Sequence, residues 1–149
     1  MLHKTKKSIE EFIKQRGEDA LVEVLSTILN RQADEYTMTI VCNRGVHAIP
    51  ESMVRGEEFT LSEGRSIDTS SREKMYDSVS EILVPLARTL KEKNWRRIYM
   101  IPSGHPLLYA HAKLMVFQIT RIETTDCVYV GDGQYVDLYV SHRSIATSA

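Results

Sequence analysis

The chain has 149 residues, of which 42% are apolar and 26% charged, with a formal net charge of −1. That length suits one domain able to bury a core, and the lack of any run of about 18 apolar residues excludes a membrane-spanning helix. The near-neutral charge argues against a general nucleic-acid coat, which shows as a basic excess.

The start, "MLHKTKKSIEEF", passes from basic to acidic residues without a long apolar core, so no signal peptide is expected and a cytoplasmic location is. "SIEE", Ser8 to Glu11, reads as a capping box that opens a helix. Ile9, Phe12 and Ile13 follow at helical spacing, Gly17 weakens the pattern, and Ala20, Leu21, Leu25, Ile28 and Leu29 resume it. The prediction is one broken helix or two short ones over residues 1–30. "YTMTIVC", Tyr36 to Cys42, alternates and is rich in β-branched residues, which marks a strand ending at the turn "NRG". Residues 46–66 show no clean period, although Phe59 to Gly64 suits a short strand and turn.

"SSRE", Ser70 to Glu73, reads as a second capping box. The helix after it buries Met75, Val79, Ile82, Leu83, Leu86 and Leu90, with Pro85 expected to kink or end it. "RRIYMI", Arg96 to Ile101, is a strand. "PLLYAHAKLMVFQI" is apolar on almost every side and predicts a buried helix opened by Pro106. "CVYV" and "QYVDLYV" are strands joined by the hairpin signal "GDG", Gly131 to Gly133. Cys42 and Cys127 are too few for a disulfide framework and read as buried free thiols. Strands alternating with helices predict an α/β fold: one three-layer, Rossmann-like domain over residues 1–149 with a mostly parallel sheet, its sheet and covering helices in 36–140, a C-terminal β-hairpin, and a tail from 141 to 149.

Ligands of open α/β sheets gather beyond the carboxyl ends of the strands. "PSGHP" lies at such an end and opens a helix, where free amides and the helix dipole attract anions. Gly104 permits close approach to the backbone, Ser103 offers a hydroxyl, and His105 donates or accepts near neutral pH. The other strand end offers Asn43 and Arg44, whose fork suits a phosphate. The start of the next helix adds Ser70, Ser71, Arg72 and Lys74. The competing explanation is ordinary strand-to-helix turn chemistry. His105 and His111 are poorly spaced for one metal and no carboxylate accompanies them, so neither metal nor cofactor is assigned.

"RRIYMIPSGHPLLYAHAKLM" followed by "CVYVGDGQYVDLYV" resembles the C-terminal half of the CARF and SAVED families. These are Rossmann-like sensors of cyclic oligonucleotide second messengers in prokaryotic CRISPR and CBASS antiviral defence. "DTSSREKM", Asp68 to Met75, resembles the polar helix start of CARF domains without its glycines. The resemblance spans about residues 66–140. It implies ligand contact by Ser103, Gly104 and His105, and also by Ser70 and Lys74. It further implies a cyclic nucleotide or oligonucleotide ligand, a homodimer or higher oligomer, and output through a separate effector protein. Tyr135 is the aromatic expected to stack on a base.

"HAKLMV", His111 to Val116, looks like the HxK of the phospholipase D signature, in which the His attacks phosphorus and the Lys steadies charge. Gln118 stands where that signature has Asp, and the segment reads as a helix rather than a strand. Three functions stay open at this point: a messenger sensor, a phosphodiesterase of ring-nuclease type with His105 as acid or base, and an assembly subunit without ligand whose last residues, "SHRSIATSA", are a disordered end.

Overall fold

The computed structural model describes residues 2–45, 47–64 and 67–149. Val46, Arg65 and Ser66, in the stretch without a period, lie outside them. The chain divides into a helical unit, Met1–Glu35, and a sheet-bearing unit, Tyr36–Ala149.

The helical unit is two helices, α1 (Leu2–Arg16) and α2 (Glu18–Glu35). Gly17 separates them at a φ of +86°, and its amide donates to the Ile13 carbonyl at 2.8 Å. This is the left-handed stop that glycine supplies after a helix. The expected start at Ser8 is wrong: nothing in "LHKTKK" opposes helix, so α1 already runs from Leu2 and Ser8 is interior. α2 likewise continues past Asn30. Its apolar stripe stays exposed, with Val22, Leu25 and Leu29 at 57%, 48% and 63%.

The second unit is an α/β fold with a five-stranded sheet in the order β2-β1-β3-β4-β5. The strands are β1 (Thr37–Val41), β2 (Glu57–Thr60), β3 (Arg97–Ile101), β4 (Thr125–Gly131) and β5 (Gln134–Tyr139). The first four pair in parallel and β5 closes the row antiparallel to β4, as the alternating strands and helices and the "GDG" turn predict. That turn places Asp132 at φ +48° and Gly133 at φ +71°, the paired left-handed residues a tight hairpin needs.

Helices α3 (Arg72–Glu92) and α4 (Pro106–Thr120) cover one face of the sheet. Leu83, Leu86, Leu108, Ala112 and Val116 pack there with Met38, Ile40, Ile98 and Met100. The opposite face gathers Val41, Ile101 and Cys127 beneath Ile49 and Met53. Those two come from the β1–β2 connector, irregular but for one short 3-10 turn, Glu51–Met53. Thr39 anchors the connector: its hydroxyl accepts from the Arg55 amide at 2.8 Å and donates to the Arg55 carbonyl at 2.7 Å. The next residue, Gly56, has φ +67°, and a Cβ there would lie 2.1 Å from the Thr37 carbonyl oxygen, so only glycine fits.

Four further expectations are corrected. The cap of α3 is Ser71, which accepts from the Lys74 amide at 3.2 Å; Ser70 instead donates its amide to Asp68 at 2.9 Å. α3 runs on through Pro85. That proline is on the exposed side of the helix, where the carbonyl it leaves unpaired is open to solvent rather than buried in the core. α4 is not buried all round: Leu108, Ala112 and Val116 are buried, but Leu114 and Phe117 are 66% and 44% exposed. The C-terminal residues are ordered as α5 (His142–Ser148), capped by Ser141 and tied through the His142 amide to Glu123 at 3.0 Å.

Candidate functional site

β1 and β3 are neighbours whose onward connections leave on opposite faces. The connector after β1 carries Ile49 and Met53 to one face, and α4, after β3, puts Leu108 and Ala112 on the other. The strand order therefore reverses between β1 and β3, which is where open α/β sheets leave a crevice at their carboxyl ends. Asn43 and Ser103 follow these two strands, and α3 and α4 both begin on this rim.

The structure brings Asn43, Ser103 and Gly104 together as a floor. The Asn43 amide donates to Ser103 Oγ at 2.8 Å, and that hydroxyl donates to the Asn43 carbonyl at 2.9 Å. Asn43 Oδ1 accepts from the Gly64 amide at 3.0 Å. Gly104 has φ +78°, and an added Cβ would lie 2.7 Å from the Asn43 Cβ. The Ser103 hydroxyl thus joins β1 to β3 rather than standing ready for a ligand. Above it, the amides of Gly104 and His105 take no partner among the described residues. His105 caps α4, its Nδ1 accepting from the Leu107 amide at 3.1 Å. The neutral ring then carries its proton on Nε2, an outward donor.

The remaining sequence candidates are placed differently. Arg44 already makes its forked contact, with Nε and Nη2 donating to the two carboxylate oxygens of Glu58 at 2.7 Å each. Ser70 and Lys74 are exposed at the start of α3. That start neighbours α4, since Arg72 and Met75 line one groove with Leu107 and His111. Tyr135 is half-buried against Val41, Ile101 and Cys127, with its ring edge-on to Tyr129 at 5.4 Å. Tyr129, its partner across the strand pair, is 56% exposed. Its ring is nearly parallel to that of His47, 10° apart with centroids 6.4 Å distant. His47 belongs to the β1 connector and Tyr129 to β4, so the pair straddles the end of β3.

Sequence reasoning missed Tyr129 because choosing it over Tyr135 requires the β4–β5 register, Tyr129 opposite Tyr135. It also missed Ser62, whose buried hydroxyl has no hydrogen-bond partner among the described residues. Ser62 sits beside the rim, its carbonyl accepting from the Arg44 amide at 2.9 Å.

The HxK pair does not form one site. Two positions apart on a helix, His111 faces the α3–α4 groove, whereas Lys113 lines a cavity of about 490 Å³ on the other flank of α4. There Lys113 Nζ donates to Asp126 Oδ2 at 2.5 Å, Tyr109 donates to the same oxygen at 2.6 Å, and Thr124 donates to Oδ1 at 3.0 Å. Burial first, and then the Asp126 carboxylate, push the Tyr109 phenol above its ordinary range. Tyr109 therefore stays a donor, and the cluster is a satisfied clamp from α4 to β4. Both cysteines are buried free thiols. Burial pushes each up to about 12, which leaves them unreactive near neutral pH.

Comparison with protein-family models, with curated proteins and with solved structures finds no match. Among the described residues no helix is long and apolar enough to cross a membrane.

Proposed function

We propose that this chain is a binding module for a phosphate-linked cyclic nucleotide or oligonucleotide, a sensor of the CARF or SAVED kind in prokaryotic antiviral defence that acts through a separate effector. The reversal of strand order between β1 and β3 carries this reading, because such a reversal is where open α/β sheets take their ligands, and two helices start on its rim. The amides of Gly104 and His105 hold a phosphate, and His105 Nε2 donates to it. Asn43 and Ser103 are the floor that fixes those amides, so they position rather than touch the ligand. Lys74 adds positive charge from α3, while Arg44 contributes only where a phosphate displaces Glu58. The outward faces of Tyr129 and His47 offer stacking surface for a base.

The structure favours recognition over cleavage at one point. His105 Nδ1 is engaged by its own helix cap, so the neutral ring offers a donor and no base.

A thermal-shift panel of cyclic di-, tri- and tetranucleotides tests the reading. A ligand at 100 times its Kd adds about 2.7 kcal/mol, or roughly 5–10 °C for a domain of this size, and chromatography afterwards recovers it intact. Consumption of the nucleotide would favour the phosphodiesterase reading. Indifference to every member of the panel would favour the assembly subunit.

A further inference from the structure

The end of the sheet opposite the rim holds a second hollow. β4 joins β3 only from Tyr99, which pairs with Thr125, whereas β3 begins earlier, at Arg97. Among the described residues, Arg97 and Ile98 therefore have no strand beside them on the β4 side. The gap is a cleft of about 470 Å³, the size of a small-molecule site. The start of β3, the turn after α4 and the last residue of β5 all border it.

Arg96, Arg97 and Arg121 line this cleft. All three are exposed, and none makes an ion pair among the described residues. In this they differ from Arg44 and Arg55, each already forked onto a carboxylate. Arg96 and Arg121 lie instead over rings, their Cζ atoms 5.5 Å from the centre of Tyr36 and 5.8 Å from that of Phe117. Such a contact steadies a guanidinium while its N–H donors remain for an anion. Arg121 stands at φ +61°, a left-handed position that glycine fills without strain.

The one acid lining the cleft among the described residues is Glu123. Both its oxygens are engaged: the Tyr139 hydroxyl donates to Oε2 at 3.2 Å and the His142 amide to Oε1 at 3.0 Å. Three guanidinium groups against one carboxylate leave two positive charges unmatched.

We propose that this cleft binds a small ligand carrying a phosphate monoester. Near neutral pH that group has a charge close to −2 and three acceptor oxygens, which matches the excess and suits forked donors. A phosphodiester, with a single charge, leaves one arginine unsatisfied. A nucleic-acid strand fits worse still, because a net charge of −1 gives the chain no long-range pull on a polyanion. Ile98 and Ile122 offer wall to the body of the ligand. The cleft and the rim lie at opposite ends of the sheet, so this site stands or falls apart from the proposed sensor function.

An amide NMR titration of the full chain with phenyl phosphate, adenosine 5′-monophosphate and inorganic phosphate tests it. The expected result is saturable shifts centred on Arg97, Arg121 and Ile122. The tighter of the two esters tells a phosphorylated phenol from a nucleotide as the source of the group. Phenyl sulfate, of the same shape with one charge fewer, binds about tenfold more weakly. Arg97→Gln and Arg121→Gly each weaken binding about tenfold, and glycine keeps the backbone of the turn. Arg88→Gln, exposed on α3, changes nothing. No saturable shift at millimolar concentration, phenyl sulfate binding as well as phenyl phosphate, or affinity indifferent to both cleft substitutions would overturn the proposal. Shifts centred on Gly104 and His105 would overturn it too, while supporting an anion site at the rim.

Discussion

Ser103 shows how one hydroxyl decides between two roles for a turn. It both accepts from and donates to the backbone of Asn43, a residue only 9% exposed. Removing it orphans a buried amide and a buried carbonyl, so Ser103→Ala is expected to cost about 1–3 kcal/mol in urea denaturation; a loss below about 0.5 kcal/mol would mean the contact is not structural. Asp126 is the second such residue, 7% exposed and holding three donors. Asp126→Ala strands Lys113 beside a half-buried phenol and should cost about 3–5 kcal/mol, whereas an unchanged unfolding midpoint would show the clamp to be idle. Residue types and turn positions around "PSGHP" were legible in the sequence. The pairing was not, because Asn43 lies 60 residues away and nothing local to either residue announces the other. For the same reason the Arg44 fork read as available, since its partner Glu58 belongs to the neighbouring strand.

Elements with a strong period, α3, β3 and the β4–β5 hairpin, fold where their patterns place them. α4 shows the limit of that reading. Its all-round apolarity predicts burial, yet a helix buries only the stripe that finds a neighbour, and the flank bearing Leu114 and Phe117 lies exposed. The β1–β2 connector had no period to read, because its order comes from distant side chains. Thr39 holds the Arg55 backbone, and the Arg55 guanidinium lies 4.3 Å from the Tyr99 ring centre and grips Asp137 on β5. This strap should weaken in acid. The Arg55 hydrogen bonds hold the Asp137 carboxyl below its ordinary range, against a smaller opposing effect of burial. As pH falls the unfolded chain takes up its proton first, at about pH 4. The stabilisation is therefore full above that pH and is lost as pH drops through the lower folded value. The side chains are 31% and 41% exposed, so the pair contributes about 0.5–1 kcal/mol. Asp137→Asn should lower Tm by about 1–4 °C at pH 7, a gap that narrows as the pH falls through the lowered Asp137 value; a gap constant with pH would show that the pair does not couple to folding.

For the molecule as a whole, the sheet order is what gives the rim a meaning. The α/β class and the placing of "PSGHP" at a strand end follow from sequence patterns. The reversal between β1 and β3 emerges only when strands far apart in the chain are set side by side. That arrangement puts the amides of Gly104 and His105, without partners among the described residues, beside the end of β1, with Tyr129 and His47 across the end of β3. The measurement that tests this most directly is an amide NMR titration of the full chain with cyclic di-, tri- and tetranucleotides. Ligand binding at the rim predicts saturable shifts centred on Gly104, His105 and Leu107, spreading to Asn43 and Tyr129, and smaller elsewhere. Saturable shifts centred on the α3–α4 groove or the flank of α4, or no shifts with any nucleotide at millimolar concentration, would contradict it.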